Sequence, residues 1–575
     1  MKRILIGHRG VGKSSLLERH AEYFSEIPGK DLDVVIAEKE NQALIDIFNT
    51  RGEAAFRELE KKYFLELTTG KDYCISVGAG FNPELLPTDA EVVYVSRRTD
   101  ADGRIFLNRP RLNPEVSALE ESIQRYHTRE SNFRKMASWV YHLPEGLCES
   151  DEIEESIFKK DFKIDNAYYT LSYEQEIKLW PNLDKFELRT DVFSVENIKR
   201  ITESYTDKRF LVSVRLLVSA LELRGLRVDW ALECGPIPAG VNAQIISLHE
   251  GEFVQALALI QQQPEGKHLK FCPIVNSWDE LIIGYQWQQE DSKNRSFLPR
   301  SPEGVKSRWR WFRNLSWAKQ KINFVQGLKD FDDQPSVYEY LLSQNPKKQF
   351  GAVLGDPIHH SRTPATQGPN LLDYGMILAV PLTEDDFAQG ISFLQELGLR
   401  FAAVTSPLKL KAAELIGVSS SDVGINSLFF QHLHWAGISS DADGFETMVD
   451  ESDIPDLKNL KIAIWGGAGV ISALKEVLPA AVEYSARSGE RRDQKVDSFV
   501  PDVVIWAAPR VTGVQLPPAS WKPKYILDLN YVENSMGLEY AQRESQAAYF
   551  SGLEMFYGQA KKQFKFWAKY LMAEG

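Results

Sequence analysis

The chain has 575 residues, 43% of them hydrophobic and 26% charged, an ordinary globular composition with room for roughly three or four domains. Lys and Arg number 67 against 80 Asp and Glu, and a formal net charge of −13 is the wrong sign for a protein whose main partner is a nucleic-acid backbone. Four widely separated cysteines (Cys74, Cys148, Cys234, Cys272) without C-x-x-C argue against a zinc knuckle or disulfide framework and fit a reducing cytoplasm. The opening apolar run, Ile4 to Ile6, is too short for a signal-peptide core, and no segment approaches the roughly 20 apolar residues of a membrane span.

Residues 1 to about 160 begin with a short apolar strand, Arg3 to Ile6, then a glycine-rich turn, an amphipathic helix and further alternating strands and helices. That is the pattern of a parallel α/β sheet. The turn, Gly7-His8-Arg9-Gly10-Val11-Gly12-Lys13-Ser14, fits G-x-x-x-x-G-K-[ST] directly after a strand and before a helix. Backbone N–H groups around Gly7, Gly10 and Gly12 would wrap a phosphate, Lys13 would balance charge on the transferred group, and Ser14 would offer an oxygen to Mg²⁺.

From about 186 there follow eight short apolar runs, FELRT, FLVSVR, VDWALEC, AQIISLH, LKFCPIV, RSFLP, WRWFRNL and INFVQG, and eight predicts a (β/α)8 barrel. Helical patterns at Val195 to Tyr205, Glu252 to Gln262 and Ser277 to Gln288 separate some of them, but little lies between VDWALEC and AQIISLH. The barrel would be compact, with about 180 residues where about 250 are usual. From about 346 the βα alternation resumes, and near 460 the run KIAIWGGAG opens a dinucleotide-type unit. The expected domains are 1–160, 161–345 and 346–575, the last split into lobes of about 346–455 and 456–550 with a C-terminal helix returning to the first lobe.

Several blocks carry family resemblances. Asp31-Leu32-Asp33, Gly52 to Glu60 (GEAAFRELE), Gly78-Ala79-Gly80 and Arg109-Pro110-Arg111-Leu112, in that order, resemble shikimate kinase over nearly the whole first segment. The resemblance implies a magnesium-side role for Asp31 beside Ser14, and makes Asp33 the carboxylate that meets the shikimate hydroxyls. Gly78 and Gly80 would border the substrate, and Arg57 and Arg129 would clamp its carboxylate through guanidinium forks. Arg109 would close on the transferring phosphoryl group from the lid. The family's Gly-Gly-Gly turn here carries Ala79.

Gly355 to Pro364 (GDPIHHSRTP), Val404 to Lys409 (VTSPLK), Asp441 to Phe445 (DADGF) and Gly552 to Phe564 resemble shikimate dehydrogenase. By position Lys409 and Asp441 are the catalytic pair, the lysine handing a proton to the oxygen that receives negative charge as hydride moves. Ser361, Thr363, Thr405, Asn426, Tyr531 and Gln559 match substrate-binding positions. Gly466, Gly467 and Gly469 would hold the pyrophosphate of NADPH, with Ala468 at a normally glycine position, and Arg487 would meet the 2′-phosphate. Further departures are Ala403, Ser439-Ser440 and Trp506-Ala507-Ala508-Pro509, the last where Asn-x-Thr-Pro is usual.

In the middle, Phe186 to Asp191, Ser247-Leu248-His249 and Lys270 resemble type I 3-dehydroquinate dehydratase. The resemblance makes Lys270 the Schiff-base lysine and His249 the proton carrier, with Glu187, Arg215, Arg308 and Gln334 as dehydroquinate contacts. Ala231 stands where the family has a histidine-orienting glutamate, and Glu233 would substitute if the strand register differs. Together the three segments resemble the C-terminal three domains of the pentafunctional arom polypeptide. They imply dehydration of 3-dehydroquinate, NADPH-dependent reduction of 3-dehydroshikimate and phosphorylation of shikimate. The partners expected are these small molecules, without nucleic acid or membrane. A second reading is a metabolite-sensing regulator resembling the quinate repressor, and a third is an enzyme with active ends and an inert middle.

Overall fold

The chain divides into two compact units, one of Met1–Ser96, Asn132–Pro144 and Glu149–Pro346 and another of Arg97–Ser131, Glu145–Cys148 and Lys347–Gly575. In the computed structural model the described residues are all except 24–28, 98–99, 101–112, 114, 306, 328–332, 345–348, 419–423, 468, 495–497, 510–512, 533–534, 545 and 573–575, with backbone alone at 20–23, 118 and 220–221.

The first unit begins with a five-stranded parallel sheet in the order Lys30–Asp31, Tyr73–Ser76, Lys2–Ile6, Glu91–Ser96, Trp139–His142. Ile4 pairs with Ile75 on one side and Val92 on the other, and all three are buried, as a sheet covered on both faces requires. The helix Lys13–Tyr23 starts directly after the glycine turn. A side chain at Gly7, where φ is +149°, would sit 2.5 Å from the Val95 carbonyl oxygen, so the turn passes too close to the sheet for any larger residue.

The same unit holds eight parallel strands in the order Arg295–Phe297, His268–Phe271, Ala243–Leu248, Val228–Ala231, Arg209–Val214, Lys185–Arg189, Ala167–Thr170, Asn323–Gln326. The first and last of these do not pair, and side chains bridge the seam instead. Ser296 Oγ donates to the Ile322 carbonyl at 3.1 Å, while Gln320 Oε1 accepts from the Phe297 amide at 3.1 Å and its Nε2 donates to Asn323 at 2.8 Å. The structure is therefore a nearly closed barrel.

One predicted strand is corrected. WRWFRNL forms the helix Arg310–Ser316, and the missing strand is Ala167–Thr170, ahead of the first run counted. The helix is buried nearly all round, so its apolar residues show no period that separates helix from strand. Inside it, Arg310 forms a buried ion pair with Glu339, and Arg313 reaches the Asp333 and Leu298 carbonyls at 3.1 and 3.3 Å. These arginines tie down the segment that carries Gln334. Only the short turn Leu232–Cys234 is helical between the fourth and fifth barrel strands in chain order, one of the economies that keep the barrel small.

The second unit carries two sheets. One is ordered Ile377–Pro381, Phe350–Gly355, Leu399–Val404, Ser427–Gln431, His434–Ile438, with the last two joined as a hairpin through His432 and Leu433 at φ of 46° and 66°. The other is parallel throughout, in the order Val482–Tyr484, Ile462–Trp465, Val503–Trp506, Tyr525–Asp528, Ala548–Phe550. The helix Leu553–Leu571 follows the second sheet but packs on the first, where Trp567 lies 5.2 Å from the Phe401 ring and donates to the Leu428 carbonyl at 3.1 Å. No helix among the described residues is long and apolar enough to cross a membrane.

Candidate active sites

The phosphate loop comes first. Lys13 Nζ bends back over the turn to the Gly7 and His8 carbonyls, both at 3.0 Å, and Gly10 and Gly12 take φ of 71° and 96°. Asp31 sits at the end of the edge strand, where its Oδ1 accepts from the Asp33 amide at 2.9 Å and caps the helix Leu32–Glu40. Its Oδ2 accepts from Ser14 Oγ at 2.5 Å and Ser76 Oγ at 2.9 Å. Ser14 and Asp31 thus meet, and an all-oxygen group of this kind suits Mg²⁺.

A second cluster lies beside it. Side chains at Gly78 would stand 3.5 Å from Asp33 and 3.3 Å from Glu60, and at Gly80 2.6 Å from Arg57, so the two glycines leave space along these charged groups. Arg57 binds Glu60 at 2.7 Å and Glu53 at 3.1 Å. Burial pushes the Glu60 carboxyl up against the pull of Arg57, and its Oε1 is buried without a hydrogen-bond partner. Ala79 packs against the hydrophobic core. Arg129 lies on the helix Ala118–Met136, in the stretch that belongs to the second unit. Arg109 lies outside the described residues.

Inside the barrel a continuous polar chain runs across neighbouring strands. Gln334 Nε2 donates to Thr170 Oγ1 at 2.8 Å, Thr170 and Ser213 each donate to Glu187 at 2.6 Å, and Ser213 also reaches Asp229 at 3.2 Å. Asp229 ends the chain as the partner of Lys270, in an ion pair 0% and 1% exposed. Burial opposes the Asp229 charge, but the cations of Lys270 and Arg215 hold its carboxyl below the ordinary value. The Lys270 ammonium also rests 4.4 Å from the centre of the Phe324 ring.

His249 follows the adjacent strand end. Neither ring nitrogen has a hydrogen-bond partner; burial and then Arg215, Lys270, Arg300 and Arg189 push the imidazole well below its ordinary pKa, so it is neutral at pH 7. Glu233 Oε1 stands 3.5 Å from His249 Nδ1 and accepts the backbone amides of His249 and Glu250. No change of strand register is needed, because the turn Leu232–Cys234 carries Glu233 past the strand end and over to the histidine. Arg215 Nε is buried without a partner, and Arg308 stacks 4.9 Å over Trp309.

The third site is a cavity of about 490 Å³ within the second unit. Lys409 lines it, and its Nζ meets both Asp441 oxygens at 2.7 and 2.8 Å, while Asp441 Oδ1 also accepts from Asn426 at 3.0 Å and Gln559 at 2.8 Å. Ser440, through both its amide and hydroxyl, fixes Asn426 Oδ1 at 3.1 Å. Ser361, Thr363, Thr405 and Tyr531 line the same space, and the Tyr531 hydroxyl meets Ser361.

Gly467, Gly469, Ala507 and Pro509 line the same cavity, and Gly424 brings Gly469 close to Lys409, since a side chain at Gly424 would lie 3.2 Å from the Gly469 carbonyl oxygen and 3.1 Å from Lys409 Cβ. Gly467 has φ of +77°, and a side chain there would come within 2.4 Å of Ala507 Cβ; one at Gly466 would come within 2.8 Å of Ala508 Cβ. The two alanines are therefore the wall against which the glycine turn is pressed, and the cradle fits a pyrophosphate that must approach the backbone closely. Arg487 is exposed beyond it, in a turn fastened by Gln515, which donates to the Arg487 carbonyl at 2.7 Å.

Sequence reasoning passed over Glu60, Asp229, Ser440 and the pair Gln367–Gln563, 2.9 Å apart, with Gln563 also donating to the Asn426 carbonyl at 3.0 Å. Glu60, Ser440 and Gln563 stand inside or beside blocks quoted for their resemblance, which attaches no role to them, whereas Asp229 and Gln367 lie outside those blocks; the fold brings each to its site.

Comparison with known proteins places the first segment. Residues 9–145 match the family model for shikimate kinase. The shikimate kinase of Flavobacterium johnsoniae is 30% identical over 128 residues, which is 21% of this chain and 73% of that protein. The shikimate dehydrogenase (NADP(+)) of Mesorhizobium japonicum is 32% identical over 165 residues, 27% of this chain and 58% of that relative's length. Among solved structures, the dehydroquinate dehydratase and shikimate dehydrogenase of S. pombe AroM is similar over 72% of this chain and 97% of that one, with 14% identity and a TM-score of 0.28.

Proposed function

We propose, from the premise that the chain belongs to the shikimate kinase family through residues 9–145, that it is a multifunctional shikimate-pathway enzyme converting 3-dehydroquinate to shikimate 3-phosphate. The reading divides it into a kinase at 1–160, a dehydratase barrel at 161–345 and a dehydrogenase at 346–575. The observation that carries it furthest is the Lys409–Asp441 pair, held by Asn426 and Gln559, in a cavity that the glycine turn also lines.

In the barrel, Lys270 would join the substrate ketone as a Schiff base with loss of water. His249, already neutral, would take the proton next to that carbon, and departure of the ring hydroxyl as water followed by hydrolysis would give 3-dehydroshikimate. Glu233 would orient His249 in place of the glutamate missing at Ala231. Arg215 and Arg308 would receive the carboxylate, and Glu187 and Gln334 the hydroxyls.

NADPH supplies the hydride for the next step. Lys409 would give its proton to the oxygen of 3-dehydroshikimate, while Asp441 and Gln559 hold the ammonium and the hydroxyl in line. Ser361, Thr363 and Tyr531 would bind the carboxylate, and Asn426 and Thr405 the ring hydroxyls. Gly466, Gly467 and Gly469 would receive the pyrophosphate and Arg487 the 2′-phosphate. In the kinase, Asp33 would take the proton of the shikimate hydroxyl that attacks ATP, while Lys13 and Arg109 stabilise charge on the moving phosphoryl group. Arg57 and Arg129 would clamp the shikimate carboxylate. Ser14 and Asp31 would hold Mg²⁺, which neutralises phosphate charge.

Separate assays of the purified chain test the reading. Shikimate-dependent NADP⁺ reduction and shikimate-dependent ADP formation are expected. Binding of shikimate with neither turnover would replace the enzyme by a metabolite-sensing regulator.

A further inference from the structure

The parallel sheet of the second unit keeps a carboxylate that none of these steps uses. Asp528 ends the strand Tyr525–Asp528 and is 0% exposed. Its Oδ2 accepts from Ser535 Oγ at 2.6 Å and the Tyr549 hydroxyl at 3.1 Å, and its Oδ1 accepts from both the amide and the side chain of Asn530 at 2.9 Å. All four donors are neutral. Burial pushes the carboxyl up to about 6, and the four hydrogen bonds resist that rise. Even the room for it is reserved, since a side chain at Gly537 would lie 2.4 Å from Asp528 Oδ2. A buried charge without a cation is costly, and a neutral residue of the same shape would avoid the cost.

What the carboxylate holds is Asn530, and Asn530 faces two ways. Its Nδ2 also donates to the Ala508 carbonyl at 3.2 Å, which Trp506 Nε1 grips from the other side at 2.8 Å. Ala508 is the wall against Gly466. The next residue in the chain is Tyr531, which lines the cavity and meets Ser361, and the Gly552 amide closes on the Asn530 carbonyl at 3.1 Å.

We propose that Asp528 is a positioning residue that locks Asn530 as a strut between the wall of the glycine turn and the substrate-facing Tyr531, so that both walls of the cavity are set by one carboxylate. The inference rests on reading this cavity as a dehydrogenase site. Loss of the strut would loosen both walls together while leaving the Lys409–Asp441 pair in place.

The test is Asp528→Asn in the full chain, followed by peptide-resolved hydrogen exchange and steady-state kinetics. Exchange should quicken in three separate stretches, 529–531, 506–509 and 466–470, and the KM values for shikimate and NADP⁺ should both rise roughly tenfold, the weight of one hydrogen bond to a charged group, with kcat nearly unchanged. Asn530→Ala removes only the strut's side chain and should reproduce the exchange change at 466–470 even if Asp528→Asn folds poorly. Exchange confined to 529–531, or raised evenly through the sheet, would overturn the proposal. A wild-type chain without shikimate-dependent NADP⁺ reduction would overturn the dehydrogenase reading instead, and the exchange pattern would still decide the strut.

Discussion

At His249, burial and four surrounding cations act in the same direction, and the consequence is measurable. The imidazole stays neutral well below the ordinary histidine pKa near 6.5, so the dehydratase rate should hold steady as pH falls from 8 to about 6 instead of dropping with a histidine titration. The linked effect on stability has a definite sign. The unfolded chain takes up a proton near pH 6.5 where the folded chain does not, so this residue's contribution is present above that pH and lost as pH falls below it. A pH–rate profile that fell by half near 6.5 would contradict the environment described. Glu233 belongs to the same scale: Glu233→Ala should lower dehydratase kcat about tenfold with KM for 3-dehydroquinate little changed, since the residue touches only His249 and backbone amides. Unchanged kcat would remove it from the mechanism.

Among the elements, the helix Arg310–Ser316 and the glycine turn make the sharpest demands. Arg310→Ala would leave Glu339 as a buried, unpaired charge and should cost about 3–5 kcal/mol of barrel stability in denaturant melts. A loss under 1 kcal/mol would mean that the pair holds nothing. At the turn, Gly467→Ala should abolish measurable NADPH binding because the new methyl meets Ala507, and the double change with Ala507→Gly should recover part of it; the backbone strain at φ of +77° remains. Failure of the second change to help at all would place the clash elsewhere.

These two elements also mark the limit of sequence reading. The glycine turns at 7–14 and 466–469 and the blocks around Lys409 and Asp441 are legible because the chemistry needs several special residues within one local stretch. WRWFRNL is not, because a segment buried on all sides loses the period that tells helix from strand. Asp229 is a single carboxylate whose partners, Ser213 and Lys270, come from other strands. Glu60 and Asp528 are held by nearer groups, Arg57 one helical turn away and Asn530, Ser535 and Tyr549, with no motif to mark them. Glu233 reaches His249 only because a short turn, not a strand, carries it. The strand Ala167–Thr170 has four residues, all buried, in a polar stretch too brief to show alternation.

On the scale of the whole molecule, the net charge of −13 coexists with cations gathered at each site: Lys13 and Arg57 in the first, Lys270, Arg215 and Arg300 in the second, Lys409 in the third. The proposed substrates are all anionic, so attraction is local while the bulk surface repels. Each site has its own acid–base or phosphate-holding groups, so the three steps should separate cleanly. Lys13→Ala should leave shikimate to accumulate, and Lys409→Ala should leave 3-dehydroshikimate. The most direct measurement is mass spectrometry of the purified full chain incubated with 3-dehydroquinate, NADPH and Mg-ATP. The account predicts shikimate 3-phosphate as the end product, with NADPH consumed and ADP formed in equal amounts. Recovery of unchanged 3-dehydroquinate from a folded chain would contradict it.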